Sequence, residues 1–396
     1  MASDRLTFID LFAGAGGLSE GLRESGFHCL FSNELVPDYA DTYRLNHPGT
    51  MALTEDIREI DPRSVRKRLR LDKEELDLVA GGPPCQGFSI NAPVRSLLDE
   101  RNHLFKEFLR FVKAFSPKAV LIENVPGLVS FGNGLALRSV IDALGEFGYG
   151  ADVRILGAAH YGVPQTRWRT FVMGLKGRDV PAAVFPEPLF NAPIRANFTA
   201  TFNGRPLLKT PAPETKSGFV TVSDAIGDLP VLRNGERGEP VKPYMKKPSC
   251  GFQERSRAGS GGVLNHEATR LSEINVQRMR HIRPGGNWTD MPDSLLPKGM
   301  LRARKSDHTK RYGRVDPNGL ASTILTKCDP HWGAYFHYSQ DRAFTVREAA
   351  RIQSFPDRFV FAGIQARQFA QVGNAVPPLL ASAVGASLKS VLLNGA

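Results

Sequence analysis

The sequence predicts an α/β fold in which β-α units surround a parallel sheet and a second, irregular domain follows. Short apolar runs alternate with longer amphipathic ones over residues 1–178, which is the rhythm of β-α units. From residue 179 onward, Pro, Gly and basic residues crowd together without a clean period, which indicates an irregular domain. A proline start and helical apolar spacing over 377–393 predict a last helix that packs back on the sheet.

Each element of the first 178 residues follows from a local pattern. Short apolar runs predict strands at 6–11, 28–32, 76–80, 119–122, 151–156 and 170–175. Amphipathic spacing predicts helices at 18–25, 38–46, 103–115 and 135–147, the last of which ends before Gly148. No internal repeat or low-complexity tract interrupts this order.

Composition and charge indicate a large core and an anionic partner. With 396 residues, of which 41% are hydrophobic, the chain can bury a sizeable core. The formal net charge is +11, and residues 231–311 hold 17 Lys and Arg against 8 Asp and Glu, a net +9 in about a fifth of the chain. We expect a polyanion to bind there, most often a nucleic acid, although a basic surface can also be simply solvated.

Cysteine spacing and hydropathy predict a cytoplasmic location. The four cysteines are far apart and form no C-x-x-C pair, so neither a disulfide framework nor a zinc knuckle is expected. The N-terminus has early charges and no apolar run of signal-peptide length, and no stretch of about 18 apolar residues follows. We therefore expect no metal and no contact with a membrane.

A glycine-rich turn and two acids outline a nucleoside pocket. The turn in DLFAGAGGLSEGL follows the first predicted strand, but Ser19 breaks the G-x-G-x-x-G order of a dinucleotide site. Glu34 ends the second strand, where a carboxylate can accept from both ribose hydroxyls, and Asp56 follows at the next β-turn position. Each acid alone could be a capping or surface residue. Together they favour a nucleoside ligand without phosphates, such as S-adenosylmethionine.

The stretch GGPPCQGFS brings a thiol to the end of a predicted buried strand. A cysteine in an arbitrary position is usually a small buried hydrophobe, and that alternative applies to Cys85 as well. The next strand ends in LIENV, which places Glu123 at the mouth of a neighbouring strand. A carboxylate in an apolar run is costly unless it is paired or functional. The pair therefore indicates a nucleophile beside an acid.

In HYGVPQTRWRTFVMG, three polar residues alternate along what we predict to be one strand. Gln165, Arg167 and Arg169 would then share one face. One interpretation is an edge strand with solvated arginines. The other is a guanidinium fork that holds a base or phosphate and lowers the pKa of the Cys85 thiol.

Taken in order, these motifs resemble those of the DNA (cytosine-5)-methyltransferase family, of the bacterial restriction-modification type. The resemblance is carried by DLFAGAGG, GGPPCQGFS, ENV, QTRWR, TVREAARIQSFPD and QVGNAVPP and covers residues 6–178 and 312–393. It implies a Rossmann-like, S-adenosylmethionine-dependent α/β domain with a mixed sheet over 1–178, completed by 365–396. It also implies an inserted target-recognition domain over 179–364.

The resemblance also implies a role for each matching residue. Cofactor binding would involve Phe12, Gly14, Gly16, Gly17, Glu34, Asp56, Ile57, Leu104, Asn374 and Val376. Catalysis would involve Cys85, Glu123, Arg167 and Arg169. Contacts with DNA would involve Ser89, Gln165, Thr323 and Thr326. After Ser89 the chain lacks the glycine-containing loop usual in the family, so contacts of Ile90 or Arg95 with DNA are not carried over.

The implied chemistry explains these residue types. The Cys85 thiolate would add to C6 of cytosine while Glu123 holds or protonates N3, which makes C5 nucleophilic enough to accept the methyl group. The target base would have to be flipped out of double-stranded DNA. The expected products are 5-methylcytosine and S-adenosylhomocysteine. We further expect a monomer in the bacterial cytoplasm, alone or beside a restriction endonuclease for the same site.

Three alternatives compete with this interpretation. A related group methylates cytosine in transfer RNA, but typically has another pattern after the Pro-Cys turn and a less basic insert, so QGFS and the +9 segment favour DNA. A binding-only regulator on an inactive scaffold would have lost Cys85, Glu123 or the glycines, which are all present. A nicotinamide-dependent oxidoreductase is disfavoured by the glycine order.

Overall fold

The computed structural model describes residues 5–84, 104–215, 218–237 and 239–394. The chain divides into two compact units. The first, here called the sheet unit, comprises Met1–Tyr161, Trp168–Ser217 and Val376–Ala396. The second, here called the basic unit, comprises Gly162–Arg167 and Gly218–Ala375. The six residues that precede Trp168 therefore group with the basic unit.

The described residues form strands and helices that we number in chain order. The strands are β1 Thr7–Leu11, β2 His28–Asn33, β3 Met51–Leu53, β4 Leu78–Gly81, β5 Ala119–Asn124, β6 Tyr149–Gly157, β7 Trp168–Lys176, β8 Thr201–Phe202, β9 Arg205–Pro206, β10 Val241–Lys242 and β11 Val263–Leu264. The helices are α1 Gly17–Glu24, α2 Pro37–Asn46, α3 Pro62–Arg68, α4 Leu104–Phe115, α5 Gly127–Ser130, α6 Leu135–Glu146, α7 Val222–Ile226, α8 Gly251–Arg257, α9 Glu273–Arg280, α10 Val346–Ile352, α11 Gln365–Asn374 and α12 Pro378–Asn394.

The seven-stranded sheet has the order β3-β2-β1-β4-β5-β7-β6. Strands β1 to β5 run parallel, whereas β7 is antiparallel to both β5 and β6. This mixed sheet confirms the predicted fold class, and each of the six predicted strands is present within a few residues of its expected bounds. The prediction missed β3, because three residues carry no detectable period.

Helix α4 shows how the sequence builds the core of the sheet unit. Its apolar residues recur every three or four positions, so Phe108, Phe111 and Phe115 lie on one face and are fully buried. The ring of Phe111 stacks on that of Phe31 in β2, with 6.2 Å between the centroids. Burial of a side chain of this size contributes about 1.5–3 kcal/mol.

The last helix packs on the sheet unit through α1, as the sequence predicts. Gly21 lies where the two helices cross, and a Cβ atom there would overlap Ala381 and the carbonyl oxygen of Pro378. Arg178, which follows β7, donates to the carbonyl oxygen of Val391 in α12. A residue without a side chain is therefore needed in α1 for α12 to approach so closely.

One apolar segment, Gln365–Asn394, is long enough to cross a membrane by length and composition alone. Half of its most apolar window is buried in the protein. The segment is also not one helix, because α11 ends at Asn374 and α12 begins at Pro378. The part that forms α12 is a core helix of the sheet unit.

The basic unit has charged groups in its interior that are paired with one another. Arg351 in α10 binds Asp357 through two contacts of 2.6 Å and also Asp228 at 3.1 Å, and all three side chains are buried. Arg342 binds Glu348 in the same way. Buried ions of this kind are tolerated only when paired, since removal of one partner costs about 3–5 kcal/mol.

We expect Gly21→Ala to lower the free energy of unfolding by about 1–3 kcal/mol, because the added methyl group forces α1 and α12 apart. Gly145→Ala is the matched control. Gly145 lies in α6, is exposed and has open space around it, so the same change there should raise stability by up to about 1 kcal/mol. Urea unfolding followed by circular dichroism measures both, and equal effects of the two variants would contradict the packing argument.

Candidate functional site

The turn after β1 has a backbone that few residues adopt. Gly14 and Gly16 have φ angles of 58° and 96°, and Phe12 has φ 59°. A left-handed residue with a bulky side chain costs about 1–2 kcal/mol, and such outliers cluster at functional sites. Gly16 also needs to be glycine for space, because a Cβ atom would lie 2.8 Å from His47 and 2.9 Å from Tyr43. The turn therefore presents backbone rather than side chains.

Glu34, directly after β2, holds this turn in place. Its Oε2 accepts from the backbone N–H of Gly14 at 2.8 Å, and its Oε1 accepts from that of Val36 at 2.8 Å. Burial raises the pKa of Glu34, and the backbone hydrogen bonds oppose that shift. The structure thus brings together two of the residues predicted for the pocket. Leu35, which the sequence analysis did not select, stands beside Glu34 with 60% of its surface exposed.

The remaining predicted cofactor residues of the sheet unit lie on several different elements. Asp56 follows β3 and pairs with Arg58 at 2.5 Å, a contact that lowers the pKa of the Asp56 carboxyl. Ile57 is buried, and its carbonyl oxygen accepts from Arg110 of α4 at 2.6 Å. Leu104 is the first residue of α4, and Val376 is buried just before α12. The tenth residue of the predicted set, Asn374, is an exposed residue of the basic unit at the end of α11.

Beneath the turn lies a buried polar chain that the sequence analysis missed. Asp10 in β1 is 1% exposed, and its Oδ2 accepts from the Ser19 hydroxyl at 2.6 Å. That hydroxyl is also 2.7 Å from the Tyr43 hydroxyl, so the chain joins β1, α1 and α2. Burial raises the pKa of Asp10 to about 7, and the nearby charges of Glu34 and Glu123 add to the shift. The position of Asp10 within the DLFAGAGG motif is the feature of the sequence that could have identified it.

The Oδ1 atom of Asp10 is the unusual part of this chain. It is buried, and the described residues supply no hydrogen-bond partner for it. A buried oxygen without a donor costs about 1–3 kcal/mol. Cys29 is near the other end of the chain, 3.2 Å from the Tyr43 hydroxyl, and burial raises its pKa to about 12. That thiol is therefore unreactive.

Glu123 and Arg169 form the second half of the candidate site. Arg169 Nε lies 2.6 Å from Glu123 Oε1, and each side chain is only 12% exposed. The contact follows from the antiparallel pairing of β5 with β7, in which Glu123 lies opposite Phe171. Burial lowers the pKa of the Arg169 guanidinium, and the charge of Glu123 opposes the shift. The ion pair is thus held in a poorly hydrated position.

The strand that carries Glu123 is tied to the turn that precedes Cys85. Asn124 donates from Nδ2 to the carbonyl oxygen of Pro83 at 3.1 Å. A Cβ atom on Gly82 would lie 3.1 Å from Glu123 Oε2, so this oxygen faces the same turn. Two of the predicted residues, Cys85 and Ser89, lie outside the described residues. The described part of the turn ends at Pro84.

The prediction that Gln165, Arg167 and Arg169 share one face of a strand is wrong. Strand β7 begins at Trp168, so only Arg169 lies on it. Gln165 and Arg167 belong to the preceding loop, in which tight turns join the N–H of Gln165 to the carbonyl of Val163 and that of Arg167 to the carbonyl of Gln165. These turns exclude the extended backbone that the alternation argument required.

Both loop side chains point into the basic unit. The guanidinium of Arg167 is 1% exposed and donates to the carbonyl oxygens of Ile324, Gly373 and Ala375 at 3.1, 2.8 and 3.1 Å. Gln165 is fully buried; it donates to the carbonyl of Ile352 and contacts the side chain of Gln353. Through these hydrogen bonds, Arg167 joins its loop to two other segments of the basic unit.

The predicted DNA-contact residues Thr323 and Thr326 lie next to this loop. Thr323 donates from its hydroxyl to the carbonyl oxygen of Thr166 at 2.7 Å, and Thr326 is exposed. The N–H of Ile324 points to Gln165 Oε1 at 3.3 Å. Within the described ranges, no cluster of three or more His, Cys, Asp or Glu side chains could hold a metal ion.

The comparisons with known proteins agree on one family. A model of the C-5 cytosine-specific DNA methylase family matches residues 6–390. The chain is 36% identical over 392 residues to the type II methyltransferase M1.HphI of Haemophilus parahaemolyticus, covering 98% of this chain and 88% of that protein. It is 34% identical over 429 residues to M.AgeI of Thalassovita gelatinovora, with 96% and 98% covered.

A solved structure also matches along the whole chain. A prophage-encoded E. coli protein, described as a DNA modification methyltransferase, superposes with a TM-score of 0.74 at 25% identity. The match covers 98% of this chain and 99% of that one. The two proteins therefore share a similar fold.

The raised pKa of Asp10 predicts a pH dependence of stability. Between about pH 4 and pH 7 the unfolded chain releases the Asp10 proton and the folded chain keeps it, so this group lowers stability by about 1.4 kcal/mol for each pH unit in that window. Above pH 7 the loss stops growing. Asp10→Asn should abolish this decline.

Urea unfolding of the wild type and of Asp10→Asn at pH 5, 6, 7 and 8 tests the prediction. The free energy of unfolding of Asp10→Asn relative to that of the wild type should rise up to about pH 7 and then stay constant. Asp142→Asn, at an exposed position of α6, is the control and should run parallel to the wild type. A constant difference for Asp10→Asn across the range would contradict the assignment.

Proposed function

Since the chain belongs to the C-5 cytosine-specific DNA methylase family, we propose that it transfers a methyl group from S-adenosylmethionine to C5 of a cytosine flipped out of double-stranded DNA. The observation that carries the proposal is the Glu123–Arg169 ion pair beside the turn that leads to Cys85. Addition of the Cys85 thiolate to C6 of a pyrimidine would require an oriented acid near that turn, and this ion pair provides one.

The edge formed by β1, β2 and β3 has the chemistry to hold S-adenosylmethionine. Each Glu34 oxygen accepts one backbone N–H and keeps further acceptor capacity for a ribose hydroxyl. The acids Asp10 and Glu34 suit a cationic sulfonium and oppose the phosphates of a nucleotide. At Gly14, none of the described residues comes within 4 Å of the Cβ position, so the backbone there is open to a close ligand. The cofactor would supply the electrophilic methyl group.

The chain's own groups then divide the reaction on cytosine. The thiolate of Cys85 adds to C6, and Glu123 holds a proton at N3 so that negative charge does not build up on the ring. C5 becomes an enamine carbon and takes the methyl group. A water molecule then takes the C5 proton, the C5–C6 double bond re-forms as the Cys85 thiolate leaves, and N3 returns its proton to Glu123. Arg169 orients Glu123 through Oε1 and leaves Oε2 on the side of the turn.

In this proposal Arg167 is a positioning residue, whereas the resemblance implied a catalytic role for it. Its hydrogen bonds to Ile324, Gly373 and Ala375 join the loop before β7 to two other segments of the basic unit. We assign it to positioning that loop, while direct contact with the base is assigned to Arg169. Thr323 and Thr326, on the segment bound to this loop, remain candidates for DNA contact.

We also propose the biological setting from charge and relatives. The sheet unit would hold the cofactor and the catalytic groups, and the basic unit would bind DNA, since residues 231–311 carry a net +9. The two relatives are named as type II methyltransferases, which supports a role in restriction-modification, with or without a cognate endonuclease. A monomer acting in the cytoplasm suffices, because flipping one base needs one active site.

Bisulfite sequencing tests the reaction and the nucleophile together. Unmethylated DNA incubated with the protein and S-adenosylmethionine should retain protected cytosines within one short repeated sequence. Cys85→Ser should protect none, because a hydroxyl is far less nucleophilic than a thiolate. Full conversion of every cytosine by a folded, cofactor-binding wild type would contradict the proposal, and normal protection by Cys85→Ser would contradict the covalent step.

Substitutions at the ion pair test the acid. Glu123→Gln should lower kcat by about 10²–10⁴ and leave the Kd for S-adenosylmethionine unchanged, because the amide cannot release a proton. Arg169→Lys should lower kcat less and displace the pH profile of kcat, since an ammonium holds the carboxylate in one contact only.

The control is Arg154→Lys, which alters a comparable Arg–Asp pair on β6, with Asp152 at 2.8 Å. It should leave kcat and the pH profile as they are. Rates of methyl transfer from labelled S-adenosylmethionine measure all three variants. An unchanged pH profile in Arg169→Lys would remove Arg169 from the reaction.

A further inference from the structure

The basic unit carries a tryptophan on its surface. The chain has three tryptophans. Trp288 is 3% exposed and belongs to an apolar cluster, whereas Trp332 is 50% exposed. An isolated apolar residue on a surface is normal, so exposure of Trp332 indicates a binding site only if the neighbouring residues support one.

A defined turn holds the indole outward. The N–H of Trp332 donates to the carbonyl oxygen of Asp329 at 2.9 Å, and the N–H of His331 donates to Asp329 Oδ1 at 2.8 Å. The carbonyl of Pro330 accepts from the N–H of Tyr312 at 2.6 Å, which ties the turn to the next segment. Binding through this ring would therefore cost little conformational entropy.

A cation lies over the ring. The guanidinium carbon of Arg311 is 5.0 Å from the centroid of Trp332, within cation–π distance. The neighbouring rings support the arrangement, because the Tyr312 hydroxyl is 2.9 Å from His331 Nδ1 and the His331 ring meets the indole edge-on at 4.9 Å. The exposed indole is thus the outer member of an ordered set.

The chain that leads to Arg311 is strongly basic. Residues 298–311 contain six Lys and Arg and one Asp, and five of the cations are exposed. Two anchors hold this basic loop: the side chain of Met300 is buried in the apolar cluster, and Trp288 Nε1 donates to the carbonyl of Asp307 at 3.1 Å. The N–H of Trp288 also points to the carbonyl of Arg311 at 3.3 Å. The cations are therefore fixed relative to the indole.

We propose that Trp332 and the basic loop 298–311 form one contact with double-stranded DNA, in which the indole stacks on or wedges beside a base while the loop cations lie along the phosphates. A row of cations with one acid fits a polyanion, and an aromatic face beside it fits bases. An acidic protein surface would use the cations and leave the indole without a partner. The contact rests on the proposed function and adds the element that grips the duplex.

Tryptophan fluorescence tests the contact on the whole protein. The probe is an unlabelled DNA duplex that contains the sequence protected in bisulfite sequencing. DNA should lower acrylamide quenching of the wild type, because Trp332 is the indole that a duplex would cover. In Trp332→Phe that DNA-dependent change should vanish, while cofactor binding shows that the variant is folded.

Affinity measurements separate the indole from the cations. Trp332→Ala should raise the Kd for the duplex about tenfold. Trp332→Phe should keep most of the wild-type affinity, since a phenyl ring still stacks on a base. The double variant Lys305→Gln and Lys310→Gln should reduce the slope of log Kd against log salt by about two. The matched control is Lys67→Gln with Arg68→Gln, two exposed cations on α3 of the sheet unit, which should leave the slope unchanged.

The outcomes distinguish this inference from the proposed function. If the wild type methylates cytosine normally and Trp332→Ala binds the duplex with unchanged Kd, the contact is wrong and the methyltransferase assignment stands. Continued quenching of Trp332 in the DNA complex overturns the contact in the same way. If the folded wild type protects no cytosine in any DNA, the proposed function itself has failed.

Discussion

The parallel register of β1, β4 and β5 is the constraint on which the candidate site depends. Leu11 lies opposite Gly81 and Gly81 opposite Ile122, so three strands end at one edge of the sheet. Gly81 makes this possible, because a Cβ atom there would overlap the carbonyl oxygen of Leu11 and press on Phe108. The glycine-rich turn, the turn before Cys85 and Glu123 consequently follow neighbouring strand ends, where open α/β sheets bind ligands.

Charge is treated differently in the two units. The buried arginines of the basic unit have carboxylate or carbonyl partners, so their desolvation is offset and they stabilise a loop-rich structure. In the sheet unit, the charges of Glu34 and Glu123 add to the raised pKa of Asp10, which keeps a buried oxygen without a donor among the described residues. A buried carboxyl with a strongly raised pKa is typical of functional sites.

The two units therefore suit two tasks that a DNA-modifying enzyme has to combine. The sheet edge holds the proposed catalytic groups Glu123 and Arg169 within hydrogen-bond distance of one another, at 2.6 Å. A basic unit with short elements and ordered turns presents cations and an indole over a wide surface. Chemistry depends on precise distances, whereas grip on a polyanion depends on charge and area.

By itself, the sequence determined six of the seven strands of the main sheet and helices α1, α2, α4, α6 and α12, because these follow from local periodicity. It also placed Gly14 and Glu34 at one pocket and Glu123 at a strand end, from the rule that ligands lie at carboxyl ends. The tertiary structure decided what local pattern cannot express. Gln165 and Arg167 alternate like strand residues, yet their side chains are buried and donate to the carbonyl oxygens of Ile352 and Gly373, which are distant in sequence. Asp10 has the pattern of a strand residue, and its pKa is raised by burial and by the nearby charges of Glu34 and Glu123. Both depend on partners far apart in sequence, and those partners meet only when the chain has folded.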